Sequence, residues 1–154
     1  MLYRRQDLND GPFIETDLFG YELLNDPLLN KGTAFSEEER DAFELHGLLP
    51  PSVATLEEQV ARRMQAFRQL SSDLERYVFL RGLQDSVEVL FYALLLHDLA
   101  GMLPVVYTPT VGIGCQEFSH TFRKPRGLFL SFPHMGQIKR SWPIRASTTS
   151  RPSS

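Results

Sequence analysis

Three helix starts in the first half of the chain carry the same local device, and they do most to limit what this sequence can fold into. Ser36 is followed three residues on by Glu39, Thr55 by Glu58, and Ser72 by Glu75. In such a pair the hydroxyl accepts the third helical N–H while the carboxylate reaches back to the cap N–H, so each marks a helix N-terminus. Behind the second start, Leu56, Val60, Met64 and Phe67 recur at spacings of 4, 4 and 3, which defines one buried face over a helix from about Leu56 to Leu70. Arg62, Arg63 and Arg68 lie mostly off that face. The first helix is expected to stop at Gly47, ahead of Pro50-Pro51. The third pattern runs from near Asp73 to about Leu99. Its stripe of Leu83, Val87, Leu90, Phe91, Leu94 and Leu95 is wide, and Leu74 with Tyr77 to Leu80 is apolar on nearly all sides, as in a helix covered by others. Gly82 within it marks a close crossing or a break.

The pattern then changes. Val105-Val106-Tyr107 is β-branched and aromatic and reads as a strand, a helix is expected near 114–122, and residues 128–131 read as a second strand. Strand, helix, strand at this spacing is a right-handed βαβ crossover with parallel strands. Two parallel strands under one helix leave edges and a face unsatisfied. The expected fold class is therefore α+β and mostly helical: an N-terminal helical region followed by the first βαβ unit of an incomplete α/β domain. The expected segments are an extended, turn-rich lead-in over 1–30, the helical region over 31–103, the start of the α/β domain over 104–136, and a disordered tail over 137–154. Ser141 to Ser154 is dominated by Ser, Thr, Pro and Arg, a composition that buries too little surface to offset ordering entropy.

The 154 residues, 42% hydrophobic and 23% charged, suit one globular domain with a real core. A net charge of −3 gives no sign of a nucleic-acid or membrane-surface partner. No apolar run approaches the roughly 18 residues that span a bilayer, and Met1 to Asp10 lacks the apolar core of a secretory signal. The single Cys115 cannot form an internal disulfide and fits a reducing compartment. It opens a helix, which can lower a thiol pKa, but a small packed residue is the plainer reading. His46, His97, His120 and His134 have no metal-ligand spacing among themselves. Glu37-Glu38-Glu39 reads as a helix N-terminus favoured by the macrodipole. Gly112-Ile113-Gly114 is only part of a dinucleotide fingerprint and suits a turn before a helix.

Tyr107-Thr108-Pro109-Thr110-Val111-Gly112 follows the run Leu103-Pro104-Val105-Val106 and precedes Arg123-Lys124-Pro125-Arg126-Gly127. The block from Met102 to Ser131 resembles the malic enzyme N-terminal signature. Leu29-Asn30-Lys31-Gly32-Thr33-Ala34-Phe35, Gly47-Leu48-Leu49-Pro50-Pro51, and Leu83-Gln84-Asp85 followed by Leu90-Phe91-Tyr92 resemble the same family in the same order. The resemblance covers roughly Leu23 to Ser131. It implies oxidation of L-malate with NAD or NADP, decarboxylation to pyruvate and carbon dioxide, and a divalent metal, Mg or Mn. It also implies that Tyr107 is the catalytic proton donor. The alternative for Tyr107 is a half-buried strand tyrosine with its hydroxyl hydrogen-bonded.

The family's catalytic lysine and its metal carboxylates have no counterpart here, since neither Lys124 nor Lys139 matches the lysine's context. No residue is assigned to cofactor or metal, and the chain is expected to be catalytically incomplete by itself. Arg62 matches one of two arginines that bind the activator fumarate in some animal members. Ser86 stands at the second position and Val87 replaces the usual asparagine, so a solvated helix charge is the plainer reading of Arg62. The resemblance further implies a homo-oligomer formed through the helical region, in the cytoplasm or the mitochondrial matrix, with the cytoplasm preferred. A malolactic enzyme shares this layout, and a non-catalytic helical module that dimerises or binds a longer partner is the reading from another class.

Overall fold

A computed structural model of the chain describes residues 4–8, 11–125 and 128–138. Strands β1 (Arg4–Leu8) and β2 (Gly11–Glu15) pair antiparallel, with Arg4 opposite Glu15 and Leu8 opposite Gly11. Helices follow: α1 (Gly20–Leu24), α2 (Glu37–Ala42), α3 (Leu56–Gln69), α4 (Asp73–Ser86), α5 (Glu88–His97), α6 (Leu99–Val106), α7 (Thr110–Gln116) and α8 (Phe118–Thr121). The chain is mostly helical, as the sequence predicts.

All three capping boxes form. Ser36, Thr55 and Ser72 accept the N–H of Glu39, Glu58 and Glu75, and each glutamate returns a bond to its cap. The stripe on α3 closes against α4 and α5: Val60, Met64 and Phe67 are buried with Leu80, Leu83, Leu90, Phe91, Leu94, Met102 and Val105. Each fully buried leucine in such a core contributes about 1.5–3 kcal/mol. A smaller core of Leu23, Leu29, Phe35 and Leu45 lies beside it in the chain order. Arg40 is buried at this second core. Its Nε donates to the Phe35 carbonyl, Nη1 to the carbonyls of Pro50 and Pro51, and Nη2 to those of Thr33 and Ser52. The guanidinium's donors thus hold the turn after α2 to the segment before it.

Two polar ties join the cores. Gln59 on α3 accepts the Thr33 N–H and donates to the Lys31 carbonyl. The Pro27 carbonyl accepts the Glu88 N–H at 2.8 Å, and Asn30 donates to the Ser86 carbonyl at 3.2 Å.

The structure corrects several expectations. The lead-in contains a hairpin and a short helix instead of being extended throughout. The first helix ends at Ala42, well before Gly47. The third pattern is two helices, divided at Val87 and not at Gly82. The predicted βαβ unit is not formed. Val105 and Val106 are the last residues of α6, with Pro104 inside the helix. Met102 and Val105, three apart, are 0% and 3% exposed, so helical burial of that pair against the main core overrides the β-branched preference of the run. The next helix begins at Thr110, earlier than expected, and residues 128–131 are irregular. The described residues fall into two compact units divided between Thr121 and Phe122. In the second, the Phe122 and Phe129 rings meet edge to face at 5.9 Å, and a 3-10 turn spans Phe132–His134. The expected disorder of the tail concerns residues that, from 139 on, lie outside the described ones.

Candidate functional site

Tyr107 terminates α6. Its N–H donates to the Leu103 carbonyl at 2.9 Å, and its own carbonyl accepts the Val111 N–H at 2.8 Å. The residue itself is extended, with φ −127° and ψ −149°. It is the hinge of a helix–turn–helix in which Thr108-Pro109 forms the turn, with a cis peptide between them, and Thr110 is buried at the start of α7. The Tyr107 side chain is 69% exposed. Its phenol is therefore free of the packing that a structural tyrosine uses, and it is presented at the surface from a backbone fixed on both sides.

Gly114 explains how closely α7 lies against α4. A Cβ at this position would stand 2.7 Å from Cε1 of Tyr77. Only a hydrogen at this position lets the two helices meet at that distance. Below the α6–α7 turn is a cleft of about 260 Å³, lined by Tyr77, Leu80, Arg81 and Gln84 of α4 together with Val106 and Val111. Arg81 Nη1 donates to the Gln84 amide oxygen at 2.5 Å. The sequence reading passed over Arg81 and took Gln84 only as part of the Leu83-Gln84-Asp85 motif. The available signal was a cation directly after the apolar run Tyr77 to Leu80, with an amide three residues on, where helix geometry puts them side by side.

The other sequence candidates are scattered. Arg62 is exposed on α3, while Ser86 turns its hydroxyl back to the Gly82 carbonyl at 2.9 Å. His46 pairs with Asp41 at 2.8 Å and His120 with Glu117 at 2.9 Å, both at the surface. His134 meets Ser131 inside its own turn. Cys115 is exposed, against the packed reading. Lys124 is exposed and Lys139 lies outside the described residues. Among the described residues no group of three or more His, Cys, Asp or Glu side chains could hold a metal ion.

Residues 84–149 match the family model for the malic enzyme N-terminal domain. This segment of the chain is similar to the malic enzyme family. It is 51% identical over 119 residues to an NAD-dependent malic enzyme of Aeromonas salmonicida, a match covering 77% of this chain and 21% of that protein. An NAD-dependent malic enzyme of Proteus mirabilis is 52% identical over 116 residues, 75% of this chain and 20% of the relative. One from Shewanella baltica is 47% identical over 119 residues, again 77% and 21%. The chain thus spans about a fifth of the length of these relatives. The malic enzyme family match takes in Tyr107 and the whole α6–α7 turn, and it runs past Ser131, where the resemblance read from the motifs ends. Among the described residues no helix is long and apolar enough to cross a membrane.

Proposed function

We propose that this chain is the acid-bearing part of an enzyme that oxidises L-malate and decarboxylates it to pyruvate, with Tyr107 as proton donor. The observation that carries the reading is the placement of Tyr107: an exposed phenol on a backbone pinned by two helical hydrogen bonds, within the segment that matches the family. Loss of carbon dioxide from oxidised malate leaves an enolpyruvate whose C3 must gain a proton. A phenol stays protonated at neutral pH and can give that proton once an acceptor is placed against it. The names of the relatives favour NAD over NADP and the malic over the malolactic reaction.

A dinucleotide and a divalent metal belong to this reading as what the whole enzyme would use. The described residues do not fit either. They offer no metal donor set, and Gly112 and Gly114 open a helix packed on Tyr77 instead of forming a phosphate loop. Self-association is the companion proposal. The outer face of α5 exposes Val89, Tyr92 and Leu96, the last 77% exposed. An apolar groove of about 440 Å³ between α3 and α5 adjoins Leu96. Sedimentation of the chain as a monomer at high concentration would count against it. The preferred compartment is the cytoplasm.

The test is Tyr107→Phe in an enzyme of full family length carrying this sequence. Removing a positioned general acid costs about 100- to 10,000-fold in turnover. Binding of the dinucleotide should stay as it was. Normal turnover in the variant would remove the proposed role.

A further inference from the structure

The cleft beneath the α6–α7 turn holds a cation that the proton-donor reading does not use. Arg81 is half-buried on α4, and its guanidinium is met by a neutral acceptor, the Gln84 amide oxygen. That bond occupies Nη1. A guanidinium carries five N–H donors in a planar fork suited to a carboxylate. A charge drawn partly out of water is best stabilised by an opposite charge, and most strongly by a bidentate one. The remaining wall is apolar or aromatic: Tyr77, Leu80, Phe91, Val106 and Val111. Gln84 holds the guanidinium in place at i+3, as a fixed anchor would require.

We propose that this cleft is a binding site for a small monocarboxylate with a short apolar chain. The carboxylate engages the Arg81 fork, the Gln84 amide flanks it, and the aliphatic end lies against Leu80, Val106 and Val111. A volume of about 260 Å³ admits a molecule of four or five heavy carbons and oxygens beyond the carboxylate but not a nucleotide. Arg81 is the cleft's one cationic lining residue among those described, so a second carboxylate would be desolvated against apolar side chains. The site thus selects mono- over dicarboxylates and goes beyond the malate reading. It does not depend on the Tyr107 hydroxyl, which lies outside the lining.

The experiment is a titration of the 154-residue chain with butanoate, followed by backbone amide NMR shifts at constant ionic strength. Saturable shifts confined to α4, α5 around Phe91, and the α6–α7 turn are expected. Arg81→Gln should weaken binding about 10- to 100-fold, the worth of one charge-assisted hydrogen-bonding group. Arg62→Gln, on exposed α3, should change nothing. Val111→Phe fills the cleft without touching the charge and should abolish binding, so a poorly folded Arg81→Gln would still leave the proposal open to refutation. Tyr107→Phe should bind as the parent does, and its loss of binding would place the ligand at the Tyr107 site and overturn a separate one. Non-saturable shifts, equal binding by Arg81→Gln, or succinate binding as tightly as butanoate would each overturn the proposal.

Discussion

Tyr107 is held by its backbone and not by its ring, and that separates its structural role from its chemical one. The ring is largely exposed, so Tyr107→Phe should change the unfolding free energy of the chain by no more than about 0.5 kcal/mol, the range of ordinary surface substitutions. Urea denaturation checks this, and a larger loss would mean the hydroxyl supports the fold. Gly114 is the opposite case. Its missing Cβ is what admits the Tyr77 ring, so Gly114→Ala should destabilise by about 1–3 kcal/mol, as over-packing does, despite alanine's better helix propensity. Equal or higher stability of that variant would show that the ring moves aside freely. The sequence singled out Tyr107 because a motif carried it. It read Gly114 only as part of a turn before a helix and left Arg81 unremarked, because their importance lies in what another helix brings to them.

At the scale of elements, local signals were read well and tertiary ones were not. A capping box is complete within four residues, and α3 occupies Leu56–Gln69, nearly the predicted span. The break at Val87 depends on the Pro27 carbonyl, which accepts the first N–H of α5 from a distant part of the chain. No window around Val87 contains that partner. Likewise Val105 to Tyr107 has strand composition, but Met102 and Val105 are buried on one helical face by the main core. The caps also give a pH dependence. Hydrogen bonds from the Ser71 side chain, then from the backbone of Ser71 and Ser72, hold the Glu75 carboxyl below its ordinary 4.5. Its folded value is lower than its unfolded one, so its contribution is fully present above 4.5 and is lost as pH falls through the folded value. Glu38 is lowered in the same direction by the backbone at its own position and by the Ser36 hydroxyl. Glu75→Gln should therefore flatten the decline in urea midpoint as pH falls below 4.5. A parallel decline in parent and variant would show that Glu75 is not a source of it.

At the scale of the whole molecule, one core joins α3 to α6, and α7 packs on α4 where Gly114 meets Tyr77, which together position the α6–α7 turn. Leu94 is fully buried in it, and Leu94→Ala should cost about 2–5 kcal/mol in urea unfolding. Activity is a different matter from folding. Tyr107 is the proposed acid, the motifs offer no match for the lysine base that the resemblance implies, the described residues hold no metal donor set, and the chain spans about a fifth of its relatives' length. Groups that act as a unit lose orders of magnitude when any one is missing. The 154-residue chain, incubated with malate, NAD and manganese, should therefore produce no reduced nicotinamide above the buffer rate. Absorbance of the reduced cofactor measures this directly. Turnover by the purified chain that vanishes in Tyr107→Phe would refute the expectation, because the substitution ties the activity to this polypeptide and excludes a contaminant. Turnover indifferent to Tyr107→Phe is assigned by a mock purification without the chain: activity absent from the mock would refute both the expectation and the proposed role of Tyr107.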